Sequence, residues 1–226
     1  MLPRQEDLLA EFGISRPSLR AALRILETEG LLQVRRGKIG GATVIRPRVE
    51  SMASALEVIL RSREVRVDDV AIALRHLEPV CAGLCASRAD RHETVLPRLR
   101  VIHEQAGVHI DDVVEYTRLA RQFHEEMTAC AGNETILLVV GALESILSSH
   151  AELWARASLE DSSAPIWDPA YRRRGQSEHD FVLRLIERGD ADGASREARQ
   201  HLEWTPLYTL GPGAHVQPRT LRQEEA

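Results

Sequence analysis

The sequence predicts a mainly α-helical protein of two parts: a small N-terminal domain with two helices and a two-stranded hairpin, and an all-helical bundle. Apolar residues recur with helical spacing through most of the chain after residue 48, whereas residues 31–45 hold two short runs typical of strands. Residues 1–50 hold nine Lys or Arg and six Asp or Glu, a net charge of +3, which leaves −8 for the rest of a chain whose net charge is −5. A basic head on an acidic body indicates two domains with different binding partners.

The N-terminal domain, residues 1–47, has the pattern of two short helices and a hairpin. The first helix is predicted to end at Gly13, and Ser15 is the predicted N-cap of a second helix that ends at Gly30. About three residues separate the two helices, which is the spacing of a helix-turn-helix. The strands 31–34 and 42–45 follow, joined by a basic, glycine-rich tip. A hairpin of this kind is typical of a wing that lies along DNA, so the domain is predicted to be a winged helix-turn-helix.

The rest of the chain is patterned as a helical bundle. We predict a linker and connecting helix over residues 48–66, the bundle over 67–210 and a disordered tail over 211–226. The predicted helices span residues 52–63, 68–88, 93–106, 111–131, 134–154, 168–188 and 191–204. The longest strongly apolar run, residues 136–143, is far shorter than the ~20 residues of a membrane span. With no signal-peptide pattern at the N-terminus, we expect a cytoplasmic protein that does not contact a membrane.

The candidate DNA contacts lie in the second helix and in the hairpin tip. Arg16 and Arg20 are four residues apart and share a helix face, where each could form a bidentate pair with guanine. Ser15 and Ser18 are candidate phosphate ligands at the start of this helix. The candidate wing contacts are Arg35, Arg36, Lys38, Gly40 and Gly41.

Both parts of the chain resemble a known family of regulators. Residues 2–31 begin with Leu2-Pro3 and continue as LLAEFGISRPSLRAALRILETEGL from residue 8, and this long, gapless motif resembles the winged helix-turn-helix of the GntR family of bacterial transcription regulators. The body resembles the effector-binding FCD domain of the FadR subfamily. The residues that carry this second resemblance are Arg75-His76-Leu77-Glu78, Phe123-His124, Gly132-Asn133, His179 and His201.

Two features of the head differ from the family pattern. Members usually have another helix before the Leu-Pro motif, so we expect the domain in this sequence to lack that first helix. Members also often have a base-contacting arginine at the position of Glu6. We therefore assign base contacts only to Arg16 and Arg20, and we expect Arg4 to contact phosphate.

Three histidines of the body form a candidate metal or effector site. His179 and His201 are equidistant from Asp190 in a predicted turn, so an antiparallel helix pair would place them at the same height. His124, on a third helix, could complete a group that suits Zn²⁺ or Ni²⁺. The resemblance implies an aspartate ligand one turn before His124, but that residue is Ala120. Two alternatives stay open: three histidines and solvent hold the ion, or the histidines bind the effector directly.

The resemblance implies a homodimeric regulator, with repression the expected sign of control, that binds a roughly palindromic double-stranded DNA operator. A small organic acid would bind in the bundle and change DNA affinity, with Arg75 as its carboxylate clamp beside His124, His179 and His201.

Arg75 could equally form only a local ion pair with Glu78. A regulator whose pocket has lost its ligand is an alternative. A three-histidine metalloenzyme is another, but no general base is well placed and an enzyme would not need a basic head, so we predict no enzymatic activity.

Overall fold

The mainly α fold predicted from the sequence is confirmed by a computed structural model, which describes residues 2–35, 41–46, 48–157 and 168–205. The predicted tail, residues 211–226, lies outside these ranges. In chain order the elements are α1 (Gln5–Phe12), α2 (Arg16–Thr28), β1 (Leu32–Arg35), β2 (Gly41–Val44), α3 (Val49–Ser62), α4 (Val67–Ser87), α5 (Arg91–Thr94), α6 (Leu96–Val108), α7 (Val113–Cys130), α8 (Glu134–Ala157), α9 (Pro169–Arg188) and α10 (Ala191–Trp204). The chain divides into two compact units, residues 1–51 and 52–226.

The first unit is a helix-turn-helix with a hairpin. Gly13 ends α1 with a φ of 61°, a left-handed conformation that glycine adopts without strain, and the side chain of Ser15 caps α2. The strands β1 and β2 pair antiparallel, from Leu32 opposite Val44 to Arg35 opposite Gly41. A small core holds the elements together: the buried side chains of Leu8, Leu19, Leu23 and Leu32. This arrangement fixes the start of α2 beside the turn, with its polar face outside.

The second unit is a bundle in which α4 packs against α7, α8, α9 and α10, and α6 packs against α7 and α9. Side chains from several helices meet in one core, among them Cys85, Leu99, Phe123, Met127 and Ile186. The turn between α9 and α10 is tightly specified. Gly189 is left-handed, with a φ of 73°, and the carboxylate of Asp190 accepts a hydrogen bond from the backbone N–H of Gly193.

One stretch predicted as a single helix is divided in the structure. The pattern indicated one helix over residues 93–106, but α5 ends at Thr94 and α6 begins at Leu96. Pro97 lies in the first turn of α6, a position that proline favours because it has no N–H to contribute. Proline was therefore the local signal for a new helix start.

Two helical stretches, Val67–Ser87 and Glu134–Ala151, are long and apolar enough to cross a membrane by length and composition alone. Buried helices in a protein core have the same composition. Within the bundle, 56% of the first stretch and 39% of the second are buried, and α4 and α8 pack on each other and on α7. Packing in the bundle therefore accounts for part of their apolar character.

Candidate functional site

The first turns of α2 present arginine side chains to solvent. Arg16 and Arg20 are both exposed, and Leu19 between them is buried in the core of the unit. The Ser15 hydroxyl accepts a hydrogen bond from the backbone N–H of Ser18 at 3.3 Å, and the two hydroxyls are 2.8 Å apart. The two serines thus fix the helix start, which orients Arg16 and Arg20 on the same exposed face.

Glu6 lies beside this face. Its carboxylate is 3.7 Å from the guanidinium of Arg16, and both side chains are well exposed. An exposed pair of this kind contributes little to stability, so the guanidinium can exchange this partner for another anion such as phosphate. Arg4 is also exposed, and its carbonyl accepts the first bond of α1 from Leu8.

The structure describes only part of the predicted wing. Arg35 is exposed at the end of β1, and Gly41 lies opposite it at the start of β2. The remaining candidate contacts, Arg36, Lys38 and Gly40, lie outside the described residues. The hairpin therefore places Arg35 at the base of the basic segment.

The three predicted histidines meet inside the bundle. His124 of α7, His179 of α9 and His201 of α10 are all buried. The Nε2 atom of His179 is 3.2 Å from Nε2 of His124 and 3.1 Å from Nε2 of His201. The rings of His124 and His201 are parallel, with centroids 5.3 Å apart, and the ring of His179 is tilted steeply to both. Three imidazole nitrogens thus converge on one point from three helices.

The outer side of each ring is held by a different group. The Nδ1 atom of His124 is hydrogen-bonded to Glu78 of α4, and Nδ1 of His201 is 2.8 Å from Oε2 of Glu178. Because a carboxylate only accepts hydrogen bonds, each Nδ1 carries the proton and each Nε2 presents a lone pair. The ring of His179 stacks on Phe123 with centroids 4.3 Å apart. These contacts aim the three Nε2 atoms inward.

Burial keeps the imidazoles of His124 and His179 neutral. It lowers the pKa of His124 to about 4, because loss of hydration outweighs the opposing effect of the Glu78 carboxylate. Burial also lowers the pKa of His179 well below its usual value, and the neighbouring imidazoles lower it further. Neutral imidazole is the form that binds a metal ion, so the site is poised for ligation at neutral pH.

The geometry of the group fits a transition-metal ion. Three nitrogens about 2.0–2.1 Å from one ion, at tetrahedral to octahedral angles, lie roughly 2.8–3.4 Å apart. The two observed separations from His179 fall in this range. The Nε2 lone pairs of His124 and His201 both lie close to Nε2 of His179. A single proton on that atom can form a hydrogen bond with only one of them, whereas a cation can bind all three nitrogens. Ala120, one turn before His124, has no donor atom and packs in an apolar cluster with Tyr116.

Arg75 and Glu78 do not form the local ion pair that one hypothesis considered. Glu78 is fully buried and contacts His124, whereas Arg75 is half-buried one turn earlier on α4. Within the ranges that the structure covers, the guanidinium of Arg75 makes no hydrogen bond or ion pair. The side chain of Arg75 thus has capacity for an anionic ligand.

Two features near the histidines were not predicted from the sequence. Arg121 and Glu144 form an ion pair between α7 and α8 at 2% and 0% side-chain exposure, and Arg121 also contacts Ser148. They are equidistant from the Gly132-Asn133 turn, so the symmetry that pairs His179 with His201 could have predicted them. Glu178 could have been found in the same way, because it precedes His179 and lies across the same turn from His201.

Comparisons with known proteins agree with this architecture. Residues 69–203 match the FCD domain, and residues 1–44 match the bacterial regulatory proteins of the gntR family. The chain belongs to the GntR family. It is therefore a transcription regulator and not an enzyme. Regulators of this family bind DNA operators through the N-terminal domain, and FCD domains can bind a metal ion.

Individual relatives are similar over most of this GntR-family chain. It is 24% identical over 205 residues to the HTH-type transcriptional repressor NanR of Salmonella schwarzengrund and to that of Salmonella newport; the alignments cover 89% of the chain and 73% and 74% of the relatives. Among solved structures, Streptococcus agalactiae GntR aligns with a TM-score of 0.62 at 19% identity, over 89% of this chain and 86% of the other. The last similarity is one of fold.

Proposed function

We propose that this protein is a cytoplasmic, homodimeric repressor of the FadR subfamily whose operator affinity is controlled by a small organic acid bound in the bundle. The observation that supports the proposal best is the convergence of three buried imidazole nitrogens in the FCD domain of a chain with a GntR head. The named relatives are repressors, which is the basis for the sign of control.

The proposed operator contacts are those of the α2 face and the wing. Arg16 and Arg20 read guanine in the major groove. The residues that bind the phosphate backbone and so orient the head on the duplex are Ser15, Ser18, Arg4 and Arg35. The other wing contacts are Arg36, Lys38, Gly40 and Gly41. Each half-site of a pseudo-palindromic operator takes one head of the dimer. Both arginines are exposed at the start of a capped helix, which suits this role.

The proposed effector contacts are Arg75 and the histidine group. His124, His179 and His201 would hold Zn²⁺ or Ni²⁺, which supplies a positive centre for a carboxylate and polarises it. The Arg75 guanidinium binds the carboxylate from α4. The effector then shifts the dimer between geometries with different DNA affinity, because it binds one of them more tightly.

The DNA part is tested by Arg20→Ala, with Arg61→Ala, an exposed arginine on α3 outside the proposed contacts, as the matched control. After an operator is selected from a random DNA library, the Arg20 variant should lose about 1–3 kcal/mol of specific binding and keep its binding to unrelated DNA. Equal losses on both kinds of DNA would make Arg20 a phosphate contact. No loss on either would remove it from the interface.

The metal part is tested by mass spectrometry of the purified protein beside His124→Ala. The proposal expects close to one transition-metal ion per chain in the parent and none in the variant. Absence of metal from both proteins would support a second candidate, a regulator whose histidines bind the effector directly or whose pocket has lost its ligand, which the apolar surroundings of Ala120 favour. Thermal shifts with a panel of organic acids would separate these two, since a lost pocket gives no shift with any acid.

A further inference from the structure

The histidine group has donor atoms for a cation but no charge of its own to balance one. Its three ligands are neutral imidazoles, and Ala120 offers no anion one turn away on α7. The three rings are buried, so water compensates little of the charge of a divalent ion placed between them. Negative charge close to the rings is therefore needed for tight binding.

We propose that Glu78 and Glu178 supply this charge through His124 and His201, and that these two residues set the metal affinity of the site. The inference rests on the proposed function, because it concerns the same ion. Each carboxylate accepts the Nδ1 proton of one histidine, so it pushes electron density towards the Nε2 atom that faces the ion. Two carboxylates bring two negative charges, which match those of a divalent cation.

The two glutamates differ in how strongly they can act. Glu78 is completely buried on α4, where its charge is not screened by solvent. Glu178 on α9 is 15% exposed, so solvent screens part of its charge, and its Oε1 atom accepts a hydrogen bond at 3.0 Å from Nε of the exposed Arg174. Glu78 should therefore contribute more to metal affinity than Glu178.

The stability of the metal-free protein distinguishes this role of Glu78 from a purely structural one. Without an ion, Glu78 is a buried carboxylate beside a neutral imidazole, and its desolvation opposes folding. Glutamine has the same shape, and its amide oxygen still accepts the His124 Nδ1 proton. Glu78→Gln should thus leave the metal-free protein equally or more stable to heat while it weakens metal binding. A residue that only braced the helices would lower the stability instead.

The experiment measures the Zn²⁺ and Ni²⁺ affinities of the chelator-stripped full chain by competition with a coloured chelator. Glu78→Gln should weaken Zn²⁺ binding by roughly 10–100-fold, the usual effect of losing a partner behind a ligand, and Glu178→Gln should weaken it less. Glu187→Gln is the matched control, because Glu187 lies on α9 in an exposed ion pair with Arg100. It should change the affinity by less than about twofold, as expected for a solvent-screened charge.

Each outcome decides between the claims. If the parent chain binds neither Zn²⁺ nor Ni²⁺, both this inference and the metal-assisted function are wrong. If the parent binds Zn²⁺ and Glu78→Gln binds it equally well, only the present inference is overturned. The inference also fails if Glu187→Gln weakens binding as much as Glu78→Gln, because the effect would then come from the overall charge. A lower melting temperature of metal-free Glu78→Gln with unchanged affinity would identify a structural residue.

Discussion

The buried ion pair between Arg121 and Glu144 gives the sharpest test of how the bundle is held together. The pair joins α7, which carries His124, to α8, and both side chains are almost completely inaccessible to solvent. Removal of one partner breaks a buried ion pair, which costs about 3–5 kcal/mol. We therefore expect Glu144→Leu and Arg121→Met each to lower the free energy of unfolding by that amount.

The double variant Arg121→Met/Glu144→Leu should recover most of this loss. Apolar side chains of similar volume avoid the desolvation of both charges, and such replacements are commonly neutral or stabilising by about 1–4 kcal/mol. The coupling energy of the cycle should thus be roughly 6–10 kcal/mol, close to the sum of the losses in the two single variants. The exposed pair Arg100–Glu187 is the control, with an expected coupling of roughly 0.2–1 kcal/mol.

Urea unfolding followed by circular dichroism measures all four proteins of each cycle. A loss below about 1 kcal/mol in Glu144→Leu would refute the reasoning, because it would mean that water reaches the Arg121 guanidinium. A double variant as unstable as the sum of the single variants would also refute it, since the two side chains would then act independently.

Three further predictions concern the helix start, the acid response and the histidine group. Ser15→Ala should destabilise the N-terminal unit by about 1 kcal/mol in thermal unfolding, because it removes the α2 cap; an unchanged melting temperature would contradict this. Burial lowers the pKa values of His103 and His150, so they stay neutral in the folded chain while the unfolded chain takes up protons below about pH 6.5. The free energy of unfolding should be constant above that pH and should fall as the pH drops towards the lowered pKa values. The fall should be less steep in His150→Asn. If the urea unfolding midpoint changes equally with pH in the two proteins, the prediction is wrong. Ala120→Asp should have a lower melting temperature than the parent in the presence of a chelator, and Zn²⁺ should raise its melting temperature by more than it raises that of the parent. An equal rise in the two proteins would mean that residue 120 does not face the ion.

The helix boundaries that sequence predicted well are those with strong local signals. The helix predicted over 191–204 has those bounds in the structure, since Gly189 and Asp190 specify its start. The helix predicted over 168–188 begins one residue later, after the cap of Asp168. Where the signal was a proline within an otherwise helical pattern, as in 93–106, the prediction merged two helices.

Part of the candidate site was also predicted from a local signal, the spacing of two histidines about a turn. The symmetry of His179 and His201 about their turn predicted that these two side chains meet, because helix geometry fixes height along an antiparallel pair. The partners of the rings were not predicted. Glu78 was considered only beside Arg75, its neighbour on the same helix, whereas its contact is with His124, 46 residues away.

The sequence by itself determined the two-part architecture, the winged head and the three histidines, because capping, periodicity and turn spacing are local properties of the chain. Only the tertiary structure decided which charges lie behind the histidines and that Arg121 pairs with Glu144. Those contacts depend on how α4, α7, α8 and α9 pack on each other, and burial then determines the strength of each charge. The same glutamate is a solvated surface group in one packing and the counter-charge of a buried site in another.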